Sequence, residues 1–321
     1  MKNESIRHSK LHFWSEILGM SPWKTRWQQT KIALMGEEDV PKTKFGWSSL
    51  AQYHPRISPK LWLGKPYRVR KVIISNLVNH TPTPIEEGWS VKKTQVRDYR
   101  GKKLTYDSHN GTDFAIPVGS TVCVAAAGKV VEIRSEFNRG GLKVFIDHGM
   151  GLMTCYAHLA RPLVAIGDYL QAGQAFALSG YSGLDALITL PFGIPHIHFN
   201  VWLNGAPTDP FPYGQKSSMW RNAAMPLPAK PETTAIKLSA YSEAGVQQQI
   251  NYCRTAKVKA NLQNLEGLEK RAVHTIIQKN YYPTRFSESC NVYDQTYPRR
   301  AVLNLPFSPE EFDDCIFLDE L

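Results

Sequence analysis

The stretch from residue 111 to residue 212 consists of short apolar runs, rich in β-branched residues, that alternate with glycine turns. The runs cover residues 120–125, 129–133, 142–146, 152–157, 175–178 and 197–203. Strands of this length and spacing are typical of an antiparallel sandwich or a barrel-like sheet. No amphipathic run of helical length interrupts them, so a doubly wound α/β fold is disfavoured. The sequence therefore predicts a β-rich domain in the middle of the chain.

The charge of the chain is concentrated before this β-rich stretch. Residues 1–100 hold 18 Lys and Arg against 8 Asp and Glu, a surplus equal to the +10 of all 321 residues. The same region holds six of the eight tryptophans. Short helices are expected near residues 14–18 and 30–35, and a strand within residues 69–78. A basic, Trp-rich region indicates a polyanionic partner such as nucleic acid, anionic lipid or a wall polymer, or else a solvated face over core tryptophans.

Changes of composition divide the chain into four regions. They are a basic, Trp-rich N-terminal region (1–100), a β domain (101–216), a Pro-rich linker (217–235) and a helix-rich C-terminal region (236–321). The last region carries an approximate apolar stripe, which a glycine interrupts. The stripe comprises Val246, Ile250, Cys253, Val258, Leu262 and Leu265, and the break is at Gly267. The prediction is an α+β chain: a β-rich domain with an irregular mixed N-terminal region and an α-helical C-terminal extension.

Two histidines alternate along the last predicted strand of the β-rich stretch, in the sequence Pro195-His-Ile-His-Phe199. Residues i and i+2 of a strand project from the same face, so His196 and His198 face the same way. Such a pair can bind one metal ion together, or one histidine can bind the metal while the other transfers protons. The alternative is a pair of surface or hydrogen-bonded histidines, because an H-x-H pattern alone is weak.

A second pattern, His109-Asn-Gly-Thr-Asp113, stands where the β-rich stretch begins. Gly111 permits a bend that would let His109 and Asp113 converge, although Asp113 could instead cap a turn. Together with the H-x-H strand, this pattern supplies His, Asp and His ligands without a thiolate. Three protein ligands and an open position are typical of a catalytic zinc site. His158, in a Tyr-Ala-His motif, and His196 then remain available to handle protons.

Taken together, these motifs resemble the lysostaphin/LytM-type zinc endopeptidases. The order of the motifs, the glycine positions and all three histidine motifs agree. The segments concerned are 109–119, 122–133, 141–159, 167–180 and 195–199, within about residues 105–213. The resemblance implies a small antiparallel β domain with its site in a groove of the sheet. It also implies a peptidoglycan peptide substrate, cleaved by zinc-activated water.

The resemblance also assigns roles to individual positions. His109, Asp113 and His198 would bind one Zn²⁺ per chain. His196 would be the general base for the attacking water. His158 would face the site and either stabilise the oxyanion or position the water.

Two features depart from the family's usual pattern. Residues 184–194 lengthen the loop before the H-x-H strand, which puts the substrate preference in doubt, and Asn200 stands where the family often has glutamate. His148 is expected to be structural or to lie at the substrate rim. Tyr106 and Tyr181 are candidates for lining the groove.

Two other functions use the same motifs. A non-haem Fe(II) enzyme also has two histidines and a carboxylate, but its usual spacing is H-x-D. A non-catalytic regulator could retain the site and bind the wall or another polyanion through residues 1–100. Beside a wall hydrolase, that basic region is expected to anchor the protein to an anionic wall polymer or to cover the groove, and a nucleic-acid partner becomes the minor hypothesis.

The compartment is left open by the sequence. Five cysteines without a C-x-x-C pair disfavour a zinc–thiolate site and fit a reducing compartment, although one C-terminal disulfide stays open. Polar residues interrupt the apolar stretch after the first lysines, and no signal peptide is evident. No run is long enough for a membrane span. The expectation is a bacterial protein that is cytoplasmic or exported by an unrecognised route.

Overall fold

The structure is a computed structural model that describes residues 14–230 and 232–321. Residues 1–13 of the predicted N-terminal region and Pro231 of the predicted linker lie outside the described residues. The helices are α1 (Trp14–Ile17), α2 (Trp23–Met35), α3 (Ser58–Trp62), α4 (Leu184–Thr189), α5 (Glu243–Asn251), α6 (Ala256–Gln263) and α7 (Leu268–Tyr281). Over the described part of the chain, no helix is both long and apolar enough to cross a bilayer.

The strands join into one sheet. They are β1 (Lys71–Asn76), β2 (Thr112–Ala115), β3 (Thr121–Cys123), β4 (Gly128–Glu136), β5 (Gly141–Asp147), β6 (Leu152–Pro162), β7 (Tyr169–Leu170), β8 (Ala175–Ser179), β9 (His196–Leu203), β10 (Ala206–Pro207) and β11 (Asp314–Phe317). The main order is β11-β1-β2-β9-β6-β5-β4-β7, with β10 on β9, β8 on β6 and β3 on β8.

The β-rich character predicted for the middle of the chain is confirmed, with two differences of detail. The sheet is mixed rather than purely antiparallel, because β11 from the end of the chain pairs parallel with β1. The short helix α4 also interrupts the strand series, since the lengthened loop before β9 has room for a turn and a half of helix.

Side-chain alternation along β9 separates two cores on the two faces of the sheet. Ile197, Phe199 and Val201 point into the first core, which is fully buried. It also contains Phe114, Tyr156, Trp220, Leu303, Leu305 and Phe307. The first core therefore joins the central strands to residues from the last twenty positions of the chain.

The opposite face of β9 carries His196, His198, Asn200 and Trp202 in succession. Trp202 belongs to the second core, where helices α5, α6 and α7 cover the sheet. Members of this core include Phe145, Met153, Cys155, Ile250, Leu262, Val273, Ile276 and Tyr281. Val246, Ile250 and Leu262 of the predicted stripe are buried in this core on α5 and α6. Helix α7, after Gly267, contributes buried residues that the stripe did not include.

The described N-terminal residues pack beside the central sheet. Ile17, Leu18 and Trp62 form a small apolar cluster with Tyr181. The carboxylate of Glu16 pairs with the guanidinium of Arg161 on β6 at 2.5 Å. This region is mostly irregular, and it forms one edge of the site described next.

Candidate metal centre

Three side chains bring potential ligand atoms to one point on the sheet. The Asp113 Oδ1 atom lies 3.0 Å from His109 Nε2 and 2.7 Å from His198 Nδ1. The two ring nitrogens are 3.1 Å apart. No other group of three or more His, Cys, Asp or Glu side chains within residues 14–230 and 232–321 meets the geometry for a shared metal ion. The structure thus brings together the three residues that the sequence predicted as metal ligands.

Strand register explains why these distant residues meet. Asp113 on β2 lies opposite His198 on β9 in the antiparallel pair. Gly111, just before β2, is packed against the same ring: a Cβ there would lie 2.8 Å from His198 Cε1 and 2.8 Å from the Phe199 carbonyl oxygen. The sequence suggested glycine for a bend, whereas the structure shows a close approach that a side chain would prevent.

Neighbouring groups fix the orientation of two of these side chains. The Nδ1–H of His109 donates to the Leu77 carbonyl oxygen at 2.7 Å, which leaves its Nε2 lone pair for the site. The second oxygen of Asp113, Oδ2, accepts a hydrogen bond from Asn76 Nδ2 at 3.0 Å. Asn76 ends β1 and was missed by sequence reasoning, because nothing in a lone asparagine signals a partner 37 positions away.

The electrostatics of the cluster keep the carboxyl group ionised. Burial opposes ionisation of Asp113, but the adjacent imidazoles of His109, His196 and His198 outweigh it. They hold the pKa of Asp113 well below its usual range. Burial lowers the pKa of His198, although Asp113 acts in the opposite direction. An anionic oxygen therefore faces imidazole nitrogens, which is a suitable donor set for Zn²⁺.

The two remaining motif histidines lie beside this cluster. His196 Nε2 is 3.6 Å from Asp113 Oδ1, and the rings of His158 and His196 have centroids 4.9 Å apart. The Nδ1–H of His196 donates to the Ile194 carbonyl at 2.7 Å, and that of His158 to the Ser182 carbonyl at 2.8 Å. Since a carbonyl can only accept, the neutral ring of each histidine carries its lone pair on Nε2.

Burial and the neighbouring His196 hold the pKa of His158 well below the ordinary histidine value. His158 is therefore neutral near pH 7, and its Nε2 atom accepts hydrogen bonds. Between the two roles left open by the sequence, this tautomer favours positioning a water over donating to an oxyanion.

Aromatic side chains surround the five residues. The Tyr181 ring lies 4.9 Å from the His196 ring and 5.3 Å from the His158 ring, and the Tyr106 ring lies tilted against His109 at 4.4 Å. Trp62 backs Tyr181 at 5.6 Å. Its indole Nε1 donates to the Gly193 carbonyl oxygen in the lengthened loop, at 3.1 Å. Both tyrosines named from the sequence are thus beside the cluster, and a tryptophan of the N-terminal region packs against Tyr181.

The two departures from the family pattern have structural roles. Asn200 Nδ2 donates to the backbone and side-chain oxygens of Asn110, and Asn200 Oδ1 accepts from the Tyr281 hydroxyl at 3.3 Å. Asn200 therefore ties the His109 loop to helix α7. His148 is buried, with ring nitrogens 3.1 Å from the Ala127 carbonyl and 2.7 Å from Thr154 Oγ1. This matches a structural role rather than one at the substrate rim.

Residues 107–210 match peptidase family M23. This segment is a peptidase family M23 domain. It contains all five histidine and aspartate positions described above, and it fits the predicted lysostaphin/LytM-type resemblance.

Relatives of the M23 domain include bacterial peptidases. The chain is 39% identical over 127 residues to peptidoglycan DD-endopeptidase ShyA of Vibrio cholerae, covering 39% of this chain and 28% of that protein. It is 31% identical over 130 residues to lysostaphin of Staphylococcus simulans, covering 39% of this chain and 25% of the relative. The match to the solved lysostaphin catalytic domain has 30% identity, a TM-score of 0.28, and coverage of 32% of this chain and 77% of that one. The chain therefore spans about a quarter of the length of the curated relatives it matches.

Proposed function

We propose that this protein is a zinc-dependent endopeptidase that hydrolyses peptide bonds in bacterial peptidoglycan. The observation that carries the proposal is the convergence of His109, Asp113 and His198 at a buried point, with His158 and His196 adjacent. The M23 domain and its peptidoglycan-endopeptidase relatives support the substrate class. A regulator without catalysis would have no use for two further oriented histidines.

His109 Nε2, one oxygen of Asp113 and His198 Nδ1 would hold the ion. When bound in such a site, Zn²⁺ polarises a carbonyl group and makes a water more acidic. The chain's own contribution is orientation: the Leu77 carbonyl fixes the His109 ring, and Asn76 fixes the Asp113 carboxylate. The preformed arrangement needs little rearrangement of these side chains when the ion binds.

His196 is the proposed general base. Its Nε2 lone pair faces the cluster, because Nδ1 donates to Ile194. From there it can accept a proton from the attacking water and return it to the departing amine. The Nε2 atom of His158, on the neighbouring strand β6, would orient the water by accepting its other hydrogen.

The basic N-terminal region is the proposed contact with an anionic wall polymer. Trp23, Trp27 and Trp47 are exposed, and Lys31 lies 5.6 Å from the Trp27 ring centroid. An exposed cation and aromatic rings together suit a polyanion with sugar or polyol units. Sedimentation of the full chain with purified sacculi should weaken as salt rises, and salt-independent binding would contradict this contact.

Digestion of purified peptidoglycan by the full chain, with and without chelator, tests the enzymatic proposal. Mass analysis of the fragments should show cleaved peptide bonds, and chelation should abolish them. Asp113→Ala and His198→Ala should lose both zinc and cleavage. His196→Ala should retain zinc while its rate falls about 10²- to 10⁴-fold. Full activity of His196→Ala would refute the assigned base, and chelator-resistant cleavage would refute the metal.

A further inference from the structure

A large cleft opens beside the candidate metal centre. Its volume is about 1100 Å³, which is slightly above the usual range for ligand pockets. Ser108 and Asn110, the two neighbours of His109, form part of its lining. Trp89 from the N-terminal region and Tyr281 and Tyr282 from the C-terminal region form part of its walls. The cleft is therefore built largely by chain outside the M23 domain.

Arg139, on the hairpin loop between β4 and β5, lines this cleft. Its guanidinium lies near two aromatic rings, with the guanidinium carbon 5.2 Å from the Trp89 centroid and 5.9 Å from that of Tyr282. The residue is only 8% exposed. Its Nη1 atom donates to Thr43 Oγ1 at 3.2 Å, whereas its buried Nε atom has no hydrogen-bond partner in the structure.

No carboxylate of the described residues forms an ion pair with Arg139. The nearby Glu136 instead pairs with Lys143 at 2.7 Å, and Glu37 in the cleft wall pairs with Arg285. Burial lowers the pKa of Arg139 to about 10, even though Tyr282, Asp185 and Glu136 favour the charged form. A buried cation without an anionic partner is destabilising, so its presence in a cleft points to an anion supplied by a ligand.

The position of Arg139 relates it to the candidate metal centre. The carbonyl of the next residue, Gly140, accepts a hydrogen bond from the His158 backbone N–H at 2.8 Å. Strand β5 follows β6 and β9 in the sheet, and neighbouring strands are about 4.8 Å apart. The backbone of Arg139 therefore lies about two strand spacings, or about 10 Å, from the H-x-H strand. Three residues of extended peptide reach that far.

We propose that the cleft binds the stem peptide of the substrate beyond the cleaved bond, and that Arg139 receives a free carboxylate of that peptide. The inference rests on the proposed function and deepens it, because it names the chemical group that the chain selects. A carboxylate accepts two parallel N–H bonds from a guanidinium, and an uncharged carboxamide cannot replace it. Trp89 and Tyr282 hold the guanidinium plane in place before the peptide arrives.

Calorimetric binding of uncrosslinked stem peptides to the zinc-loaded full chain tests this proposal. One peptide has all carboxylates free, and in each of the others one carboxylate is replaced by carboxamide. One of these replacements should weaken binding to the wild-type chain at least 10-fold. Arg139→Gln should bind the all-acid peptide about as weakly as the wild-type chain binds that carboxamide peptide. Replacing any carboxylate by carboxamide should not weaken binding to Arg139→Gln further.

Arg254→Gln is the matched control, because Arg254 is an exposed cation lining the same cleft. It should keep the wild-type preference for the carboxylate. Arg139→Lys keeps the charge but loses the planar guanidinium, so it should keep only part of the preference for the carboxylate. Thermal unfolding of Arg139→Gln should occur at the wild-type temperature or above, since a buried unpaired charge has been removed.

Equal binding of all peptides by the wild-type chain would overturn the proposal, as would an unchanged preference in Arg139→Gln. Absence of any stem-peptide binding would overturn it as well. Chelator-sensitive digestion of peptidoglycan is measured separately. A chain that digests peptidoglycan without discriminating the carboxylate therefore refutes the role of Arg139 and leaves the proposed activity intact.

Discussion

At the scale of single residues, the candidate site depends on hydrogen bonds that fix ring and carboxylate orientation. Backbone carbonyls accept from Nδ1 of His109, His158 and His196, so all three present Nε2 to the site. His198 alone presents Nδ1, because it sits on the strand directly opposite Asp113. For the first three histidines, the choice of nitrogen follows from where backbone carbonyls lie in the fold.

A substitution of Asn76 tests whether such a hydrogen bond contributes to metal binding. Asn76→Ala removes the hydrogen bond to Asp113 Oδ2, so the carboxylate loses a restraint on its orientation. We expect zinc affinity, measured by competition with a chelating dye, to fall about 10- to 100-fold.

Ser75→Ala is the matched control, on the same strand. The Ser75 hydroxyl donates to the backbone carbonyl of Asp113 at 3.3 Å and leaves the carboxylate untouched. Its zinc affinity should stay close to wild type. Equal losses in the two variants would show that the strand, and not the hydrogen bond to the carboxylate, sets the affinity.

At the scale of elements, alternation along strands distributes chemistry and packing between the two faces of the sheet. On β9 the residues Ile197 and Phe199 enter the first core, while His196 and His198 face the site. The same strand continues with Trp202 into the second core beneath the helices. One strand therefore anchors the site in both cores, which restricts movement of its histidines.

His148, just after β5, gives an element-scale prediction about pH. Burial lowers its pKa from 6.5 to about 4 in the folded protein. Between these values the unfolded chain binds a proton that the folded chain does not, so stability falls as pH drops from 6.5 to 4. The His148 contribution is at most about 3 kcal/mol.

Chemical unfolding of the wild type and of His148→Gln across this pH range checks the effect. The variant should lose the part of the pH dependence that His148 contributes. Thr154→Val removes a hydrogen bond to the ring but keeps it buried, so its pH dependence should follow the wild type. Parallel curves for the wild type and His148→Gln would contradict the prediction.

At the scale of the whole molecule, remote segments complete the cores under the candidate site. Phe307, from the C-terminal region, packs edge-on against Phe114 of β2 at 5.7 Å, one residue from Asp113. Strand β11 closes the sheet beside β1, which carries Asn76. The division of the chain at 101–216 stays a prediction, and these contacts suggest how to test it.

Phe307→Ala should destabilise the full chain by about 3–5 kcal/mol, because the ring is fully buried. Denaturant unfolding should remain a single transition, with zinc release coincident with loss of structure. Phe45→Ala is the control, since that ring is 42% exposed and its loss should change stability much less. A separate transition that leaves zinc bound would show that residues 101–216 fold independently.

Sequence patterns predicted much of the central domain for local reasons. Glycine spacing and β-branched runs predicted the strands, because turns and strand propensity depend on nearby residues. The H-x-H alternation predicted a shared face for His196 and His198 for the same reason. The ligand set came from these motifs together with the family resemblance.

Other features depended on contacts between distant parts of the chain. Parallel pairing of β11 with β1 required the tertiary structure, because its hydrogen bonds join residues more than 240 positions apart. The hydrogen bond between Asn76 and Asp113 and the placement of Arg139 near Trp89 and Tyr282 likewise join distant parts of the chain. The sequence by itself determined the strands, the motif histidines and their shared strand face, which local geometry dictates. The tertiary structure alone decided what surrounds them, because packing between remote segments has no local signature.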